Sequence, residues 1–323
     1  MRTILGLTPP VSHSSLSRLA GLLLAGAGTL LSGCAAHDAA PTPLAAATGT
    51  ADLTAGLGNG VNLQPSYYNG GNPNFGFSLM KQQSKIKTVR IEIEPGYETQ
   101  AKGWISQAKS NGFAVIATYH KSSVLGSDNT GELATAGNWW KANYKTLGGN
   151  FTINLMNEWG SHNISSNTYA AAYNSAISSV RSVYSGPIII DIPGYGQETA
   201  TAAAAVKGTG GTKINDTNII LSAHVYPNGY NQGKGHTLQN ADLDDLGSAG
   251  RPCIIGEFGN SPSGAANWSG IVSYAKSKGW TVLGWCWNGD GGSMNMVTPS
   301  WSSNATATSF SLSSYFNTVY NLL

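Results

Sequence analysis

Charge is scarce in this chain. Only 11% of its 323 residues are Asp, Glu, Lys or Arg, and 18 basic residues stand against 16 acidic ones. There is no basic run to attract phosphate, which excludes nucleic acid as a partner. No Gly-rich phosphate loop follows the first strand-like segment, which argues against an open dinucleotide-binding sheet. No His-Glu-x-x-His occurs and the six His are scattered, so neither a metal nor a cofactor is expected. Cysteine is sparse too: beyond residue 34 only Cys253 and Cys286 remain. Cys253 is in step with Glu257, whereas Cys286 is out of step with Trp285 and Trp287. Alternation therefore puts the two thiols on opposite sheet faces, buried and unpaired. What the chain has in quantity is Gly (41), Tyr (14) and Trp (9). That composition suits an exported protein that meets a neutral ligand.

The N-terminus agrees. Arg2 and Arg18 precede "LAGLLLAGAGTLL", an apolar stretch too short for a stable membrane span, which reads as a secretory signal. It ends in Leu31-Ser32-Gly33-Cys34, which resembles a bacterial lipoprotein box and would make Cys34 the lipid-bearing first residue. Ala35 after that Cys points to the outer membrane or cell surface. An ordinary signal peptide, and plain secretion, is the alternative. Removing residues 1–33 takes away two Arg and no acid, so the formal charge falls from +2 to zero. Residues 34–52 are small, Pro-containing and aperiodic, as a flexible tether would be. Residues 53–323 then form the one folded domain, expected to be monomeric.

Within that domain short apolar runs alternate with Ala/Ser/Lys-rich amphipathic stretches. Strands are expected at 60–63, 88–93, 113–120, 151–158, 187–194, 219–226, 253–259 and 281–288. Helices are expected at 98–110, 132–147, 168–183, 198–206, 237–248 and 267–278, with a weaker one at 76–86. "SNG" at 110–112 and "SKG" at 277–279 place a Gly just past a helix end. Eight strand–helix repeats in this length predict an α/β fold, a single (β/α)8 TIM barrel. In such a barrel the chemistry sits at the C-terminal strand ends. Those ends carry Arg90, His120, Asn157 with Glu158, Asp191, His224 with Tyr226, Glu257 and Trp287.

Glu158 and Glu257 each close an apolar strand and are separated by 99 residues, or three strand–helix units. Two carboxyls on one rim can flank a scissile bond, one as acid and the other as base or nucleophile. Taken singly, either Glu would pass for a capping or salt-bridging residue. Together, with Asn157 before one and aromatics beside both, they point to catalysis.

Six strand ends, "TVRIEI", "VIATYH", "NLMNEW", "SAHVYP", "IIGEFG" and "GWCWNG", resemble in order the motifs of glycoside hydrolase family 5, retaining (β/α)8 enzymes. The resemblance covers about residues 55 to 323. It implies that Glu158 is the acid/base and Glu257 the nucleophile. Arg90 and Tyr226 would keep Glu257 ionised, and Asn157 would bond the sugar 2-hydroxyl. His120 and His224 would orient the sugar and the Tyr, while Trp287 would lie beneath the ring; Trp285 reads as barrel core. His162, His236, Trp139 and Trp140 fit helix packing and outer sugar subsites equally well. Two departures stand out: Trp159 replaces the Pro that often follows the Asn-Glu pair, and Glu92 and Glu94 add acids in step with Arg90.

"MNEWG", "GYGQ", "SAHVYP" and "IIGEFGN" look most like the family's bacterial endo-β-1,4-mannanases. A polysaccharide such as mannan or glucomannan is then the expected partner, with an endo-β-1,4-glucanase as the alternative. A non-catalytic surface carbohydrate-binding protein would need the aromatics but not both acids. Any membrane contact would run only through the lipid anchor at Cys34.

Overall fold

Runs such as Thr-Val-Arg-Ile-Glu-Ile bury every residue, which a strand can do only when both of its faces are covered. In the computed structural model, which describes residues 53–323, eight of them close into a parallel barrel. They are β1 (Gly60–Leu63), β2 (Thr88–Ile93), β3 (Ala114–Tyr119) and β4 (Thr152–Asn154). The remaining four are β5 (Ile188–Asp191), β6 (Ile219–Val225), β7 (Cys253–Phe258) and β8 (Thr281–Asn288). Each strand pairs with its neighbour in sequence, and β8 closes on β1.

The crossovers carry α1 (Glu98–Ser110), α2 (Thr130–Asn143), α3 (Ser166–Arg181), α4 (Thr199–Lys207), α5 (Asn240–Gly247) and α6 (Trp268–Ser277). Their starts are fixed locally. Asn129 accepts from the Gly131 N–H, Ser165 from the Thr168 N–H, and Gln239 with Asp242 forms a capping box. Ala101, Trp104, Ile105 and Ala108 give α1 its buried stripe at helical spacing. Gly112 and Gly279 adopt left-handed φ values of 88° and 79° directly after α1 and α6, as the "SNG" and "SKG" signals predict.

Alternation divides each strand between the helix layer and the barrel interior. At the bottom of the interior Ile116, Ile189, Ile220, Ile254 and Leu283 form an apolar plug, with Leu53 and Leu57 against it. Above the plug the inward positions turn polar: Asn62, Arg90, Thr118, Asn154, Asp191 and Ser222, all fully buried. The barrel therefore grows more polar toward its C-terminal mouth.

Three expectations need correction. The fourth strand ends at Asn154 rather than 158, so Asn157 and Glu158 sit in the following loop. The segment expected at 76–86 is helical only over Phe77–Met80, since "SKIK" beyond it offers no second apolar turn. A register shift between Ala223 and His224 pairs Leu221 with Cys253 but His224 with Glu257. The extra residue takes Cys253 and Glu257 out of step. Cys253 and Cys286 are nevertheless both buried and free. No helix among the described residues is long and apolar enough to cross a membrane; the signal segment, Cys34 and the tether lie outside the described residues.

Candidate active site

Arg90 sits at the centre of the barrel mouth because β2 faces Thr88, Arg90 and Glu92 inward. Its Nη1 donates to Glu257 Oε1 at 2.8 Å, to Glu92 Oε1 at 2.8 Å and to Asn62 Oδ1 at 2.9 Å. Nε donates to Asn154 Oδ1 at 2.9 Å, and Nη2 to Asp191 Oδ2 at 3.3 Å and to Asn157 Oδ1. Burial opposes this charge, but Asp191, Glu257 and Glu92 overcome it and the guanidinium is held more firmly cationic. A charge this deep persists only when it is paired and hydrogen-bonded.

Glu257 lies beside His224 because of the β6/β7 register shift. Its Oε1 is bound by Arg90, and its Oε2 accepts from the Tyr226 hydroxyl at 2.8 Å. Burial pushes the carboxyl up, yet His224, Arg90 and the Tyr226 hydroxyl outweigh it and the net shift is downward. Glu257 is therefore kept as an anion.

Glu158 follows the short β4 in a left-handed backbone conformation, φ 47°, which a residue with a Cβ rarely adopts. Surrounding bonds hold it there. Its N–H donates to Asp191 Oδ2 at 3.2 Å, and its carbonyl accepts from the Gly126 N–H at 2.8 Å. Trp159, the unusual neighbour, anchors the turn: it is fully buried, donates its indole N–H to Asn129 O at 3.0 Å, stacks on Tyr169 and meets Tyr173 edge-on. The Glu158 carboxylate lies 2.8 Å from His224 Nδ1. At least one oxygen of Glu158 and one of Glu257 lie within 4.8 Å of each other and of a His224 ring nitrogen.

His224 ties the two acids to Asp191. Its Nε2 is 3.4 Å from Asp191 Oδ2, an ion-pair distance without hydrogen-bond alignment. Burial alone would strip its proton, but Glu257 and Asp191 raise the imidazole well above the ordinary His range. Asp191, pushed up by burial, is brought down to about 2 by His224 and Arg90. Glu158, His224 and Glu257 stand close enough to share a cation. They also stand close enough to pass a proton, with His224 Nδ1 2.8 Å from Glu158 Oε1.

These groups floor a cleft of about 510 Å³. Glu92, His120, Asn157, Glu158, Tyr226 and Glu257 line its depth; Leu125, His162, Tyr195, Gln197, Tyr230 and Trp285 line its walls. The Asn157 amide oxygen is taken by Arg90, which leaves its NH2 for a ligand. His120 Nδ1 is 2.9 Å from Glu94 Oε1, and the Tyr67 hydroxyl also bonds Glu94. Burial would raise Glu94, but these partners bring it down to about 2. Burial would likewise lower His120, and Glu92 and Glu94 turn that shift upward.

Three expected roles change. Trp287 cannot lie beneath a sugar: it is fully buried, and its indole N–H donates to Phe75 O at 2.8 Å. Trp285, expected in the core, lines the cleft instead. The stretch that carries both is irregular: Val61 and Leu63 of β1 pair with Gly284 and Asn288 of β8, so regular alternation does not run through it. His224, fully buried, contacts Glu158 rather than a site open to sugar. Trp140 belongs to helix packing, with its indole N–H on Leu155 O. His162 reaches the cleft wall, held through Nδ1 by the buried Glu198 at 2.6 Å.

Asp191 ends β5 as expected, and there it accepts from Arg90 and from the Glu158 N–H. The residues not anticipated lie between the barrel strands and the crossover helices. Tyr195 is 41% exposed and Tyr230 42% exposed. Tyr195 sits at φ 56° between Gly194 and Gly196, both also left-handed. "GYGQ" is the signal that marks this turn.

A family model described as Cellulase (glycosyl hydrolase family 5) matches residues 68–291. The mannan endo-1,4-beta-mannosidase of Streptomyces lividans is 26% identical over 223 residues, which is 65% of this chain and 57% of that enzyme. The enzyme of the same name from Cellvibrio japonicus is 25% identical over 227 residues, 65% of this chain and 50% of its own length. The chain thus spans about half the length of these relatives. Among solved structures, the catalytic domain of mannanase from Streptomyces sp. SirexAA-E superposes with a TM-score of 0.64 at 22% identity. That match covers 83% of this chain and 85% of the other.

Proposed function

The chain belongs to glycosyl hydrolase family 5, and from that membership we propose that it is a retaining endo-β-1,4-glycanase acting on a neutral polysaccharide, best read as mannan or glucomannan. One observation carries the retaining assignment: carboxylate oxygens of Glu158 and Glu257 lie within 4.8 Å of each other. Retaining glycosidases hold their carboxyls roughly 5–5.5 Å apart, whereas inverting ones need roughly 6.5–9.5 Å to admit a water.

The environments divide the labour. Glu257, kept anionic by His224, Arg90 and Tyr226, attacks the anomeric carbon as the nucleophile. Glu158 protonates the departing glycosidic oxygen, then takes a proton from water as that water cleaves the glycosyl–Glu257 ester. Asn157, fixed through its oxygen by Arg90, presents its NH2 to the 2-hydroxyl. Trp285 and the exposed Tyr195 and Tyr230 supply apolar faces for sugar rings along the cleft.

The mannan preference rests on the two Streptomyces and Cellvibrio relatives. An endo-β-1,4-glucanase is the second reading, favoured by the family model's own description as a cellulase. Product analysis on mannan, glucomannan and carboxymethylcellulose separates them. Oligosaccharides released from the mannans alone support the first reading, and release from carboxymethylcellulose the second. No release from any β-1,4-glycan would favour a non-catalytic carbohydrate-binding protein. We also read Cys34 as a lipid attachment site that tethers the barrel to a membrane surface, which detergent-phase partitioning of wild type against Cys34→Ser would decide.

A further inference from the structure

One hydrogen is missing around Arg90. Its Nη1 carries two hydrogens, yet three oxygens approach it: Glu257 Oε1 and Glu92 Oε1 at 2.8 Å and Asn62 Oδ1 at 2.9 Å. Asn62 supplies none in return, because its Nδ2 is spent on the carbonyls of Gly256, Leu283 and Gly284. Glu92 Oε2 accepts from Gln64 Nε2 at 2.7 Å and stands 3.5 Å from His120 Nε2. Glu92 Oε1 and Glu257 Oε1 thus converge on a single Arg90 nitrogen, each 2.8 Å from it. A proton on Glu92 would supply the missing donor.

The charges around the mouth are unequal as well. The cations at the mouth are Arg90 from β2, His120 after β3 and His224 from β6. Facing them are Glu92 and, just past β2, Glu94, with Asp191 from β5, Glu257 from β7 and Glu158 after β4. Tyr67, Tyr226 and the Cys286 thiol, which β8 brings near Glu92, complete the ring and are neutral. Five acids thus oppose three cations, and a proton on Glu92 reduces that excess.

We propose that Glu92 is a positioning residue for Glu257: a carboxylic acid in the resting enzyme, whose O–H bonds Glu257 Oε1 and whose ionisation draws Arg90 away from the nucleophile. This rests on the assignment of Glu257 as nucleophile. Burial drives the Glu92 carboxyl up to about 7 despite His120, with Glu257 adding to the rise. The proton is therefore present below neutrality and lost above it.

The test uses Glu92→Gln, which keeps a neutral donor that cannot ionise. Its kcat/KM on a soluble β-1,4-oligosaccharide should stay within about tenfold of wild type at acid pH. Its alkaline limb should move to higher pH. A uniform loss at all pH with an unmoved limb would show a merely structural anion and overturn the proposal. Infrared spectroscopy of the unliganded protein reads the proton without turnover. In Glu158→Gln, where the other expected acid is gone, a buried carboxylic C=O band should be present at acid pH. It should fade as the pH passes neutrality and be absent from the Glu92→Gln, Glu158→Gln double variant. Only carboxylate bands in Glu158→Gln at acid pH would refute the proposal even if Glu92→Gln failed to fold. A wild type that shows the band but cleaves no β-1,4-glycan would remove the positioning role together with the glycanase reading, a failure distinct from a missing band.

Discussion

Replacing Tyr226 with Phe removes one oxygen atom, the one that stands 2.8 Å from Glu257 Oε2, and keeps the ring. A hydrogen bond to a charged group contributes about 1.5–3 kcal/mol, and each 1.36 kcal/mol is about a factor of ten in rate. The loss in kcat/KM should therefore fall between roughly 10- and 150-fold. The pH profile should move as well. Glu257 lies below its ordinary value because His224, Arg90 and Tyr226 together outweigh burial. With the hydroxyl gone, burial meets less opposition and the Glu257 pKa rises. The nucleophile is then protonated at higher pH than before, so the acid limb of kcat/KM shifts upward. Initial rates on a soluble β-1,4-mannooligosaccharide across a pH series measure both effects. A loss below about threefold with an unmoved acid limb would mean that Tyr226 does not hold the nucleophile.

Other substitutions separate the remaining roles. Glu158→Gln should cost about 10²–10⁴-fold on polysaccharide but spare aryl glycosides with acidic phenols, whose leaving group needs no proton; equal losses on both would contradict an acid/base role. Glu257→Ala should abolish turnover of both substrate types, with azide restoring some activity as a glycosyl azide of inverted configuration; near-normal rates would end the double-displacement scheme. Trp159→Ala removes a fully buried indole and its bond to Asn129 O, and large aromatic truncations cost about 3–5 kcal/mol. Denaturant unfolding should show that loss, and a stability change under about 1 kcal/mol would mean that Trp159 does not anchor the Glu158 turn.

The barrel and its central chemistry could be read from the chain because both follow from local rules. Apolar runs ending in polar residues mark the strand ends, and a Gly just past a helix marks its stop. Arg90, Asn157, Glu158, Tyr226 and Glu257 all stand at the mouth, where that reading puts them. The failures have one main physical source, the interruption of alternation. An irregularity in β8 between Gly284 and Asn288 falls on Trp285 and Trp287, and a register shift between β6 and β7 takes Cys253 out of step with Glu257. No count of residues along a strand reveals such a shift. Tyr195 and Tyr230 were missed for a different reason: loop conformations, not periodicity, carry them to the cleft wall. His224 was found, but its contact with Glu158 depends on a loop residue in a left-handed conformation. The acidic pair Glu92 and Glu94 was visible as a departure, and the short distances to Arg90 and His120 give it a physical context.

The most direct test of the central claim is the anomeric configuration of the first product, followed by proton NMR during early hydrolysis of a β-1,4-mannooligosaccharide or cellooligosaccharide. Carboxylate oxygens within 4.8 Å of each other fit the short separation of retaining enzymes better than the wider one that admits a water. The account therefore predicts that the β-anomer appears first, with the α-anomer growing in only by later mutarotation. Initial release of the α-anomer would show inversion, and Glu257 could not then be the nucleophile.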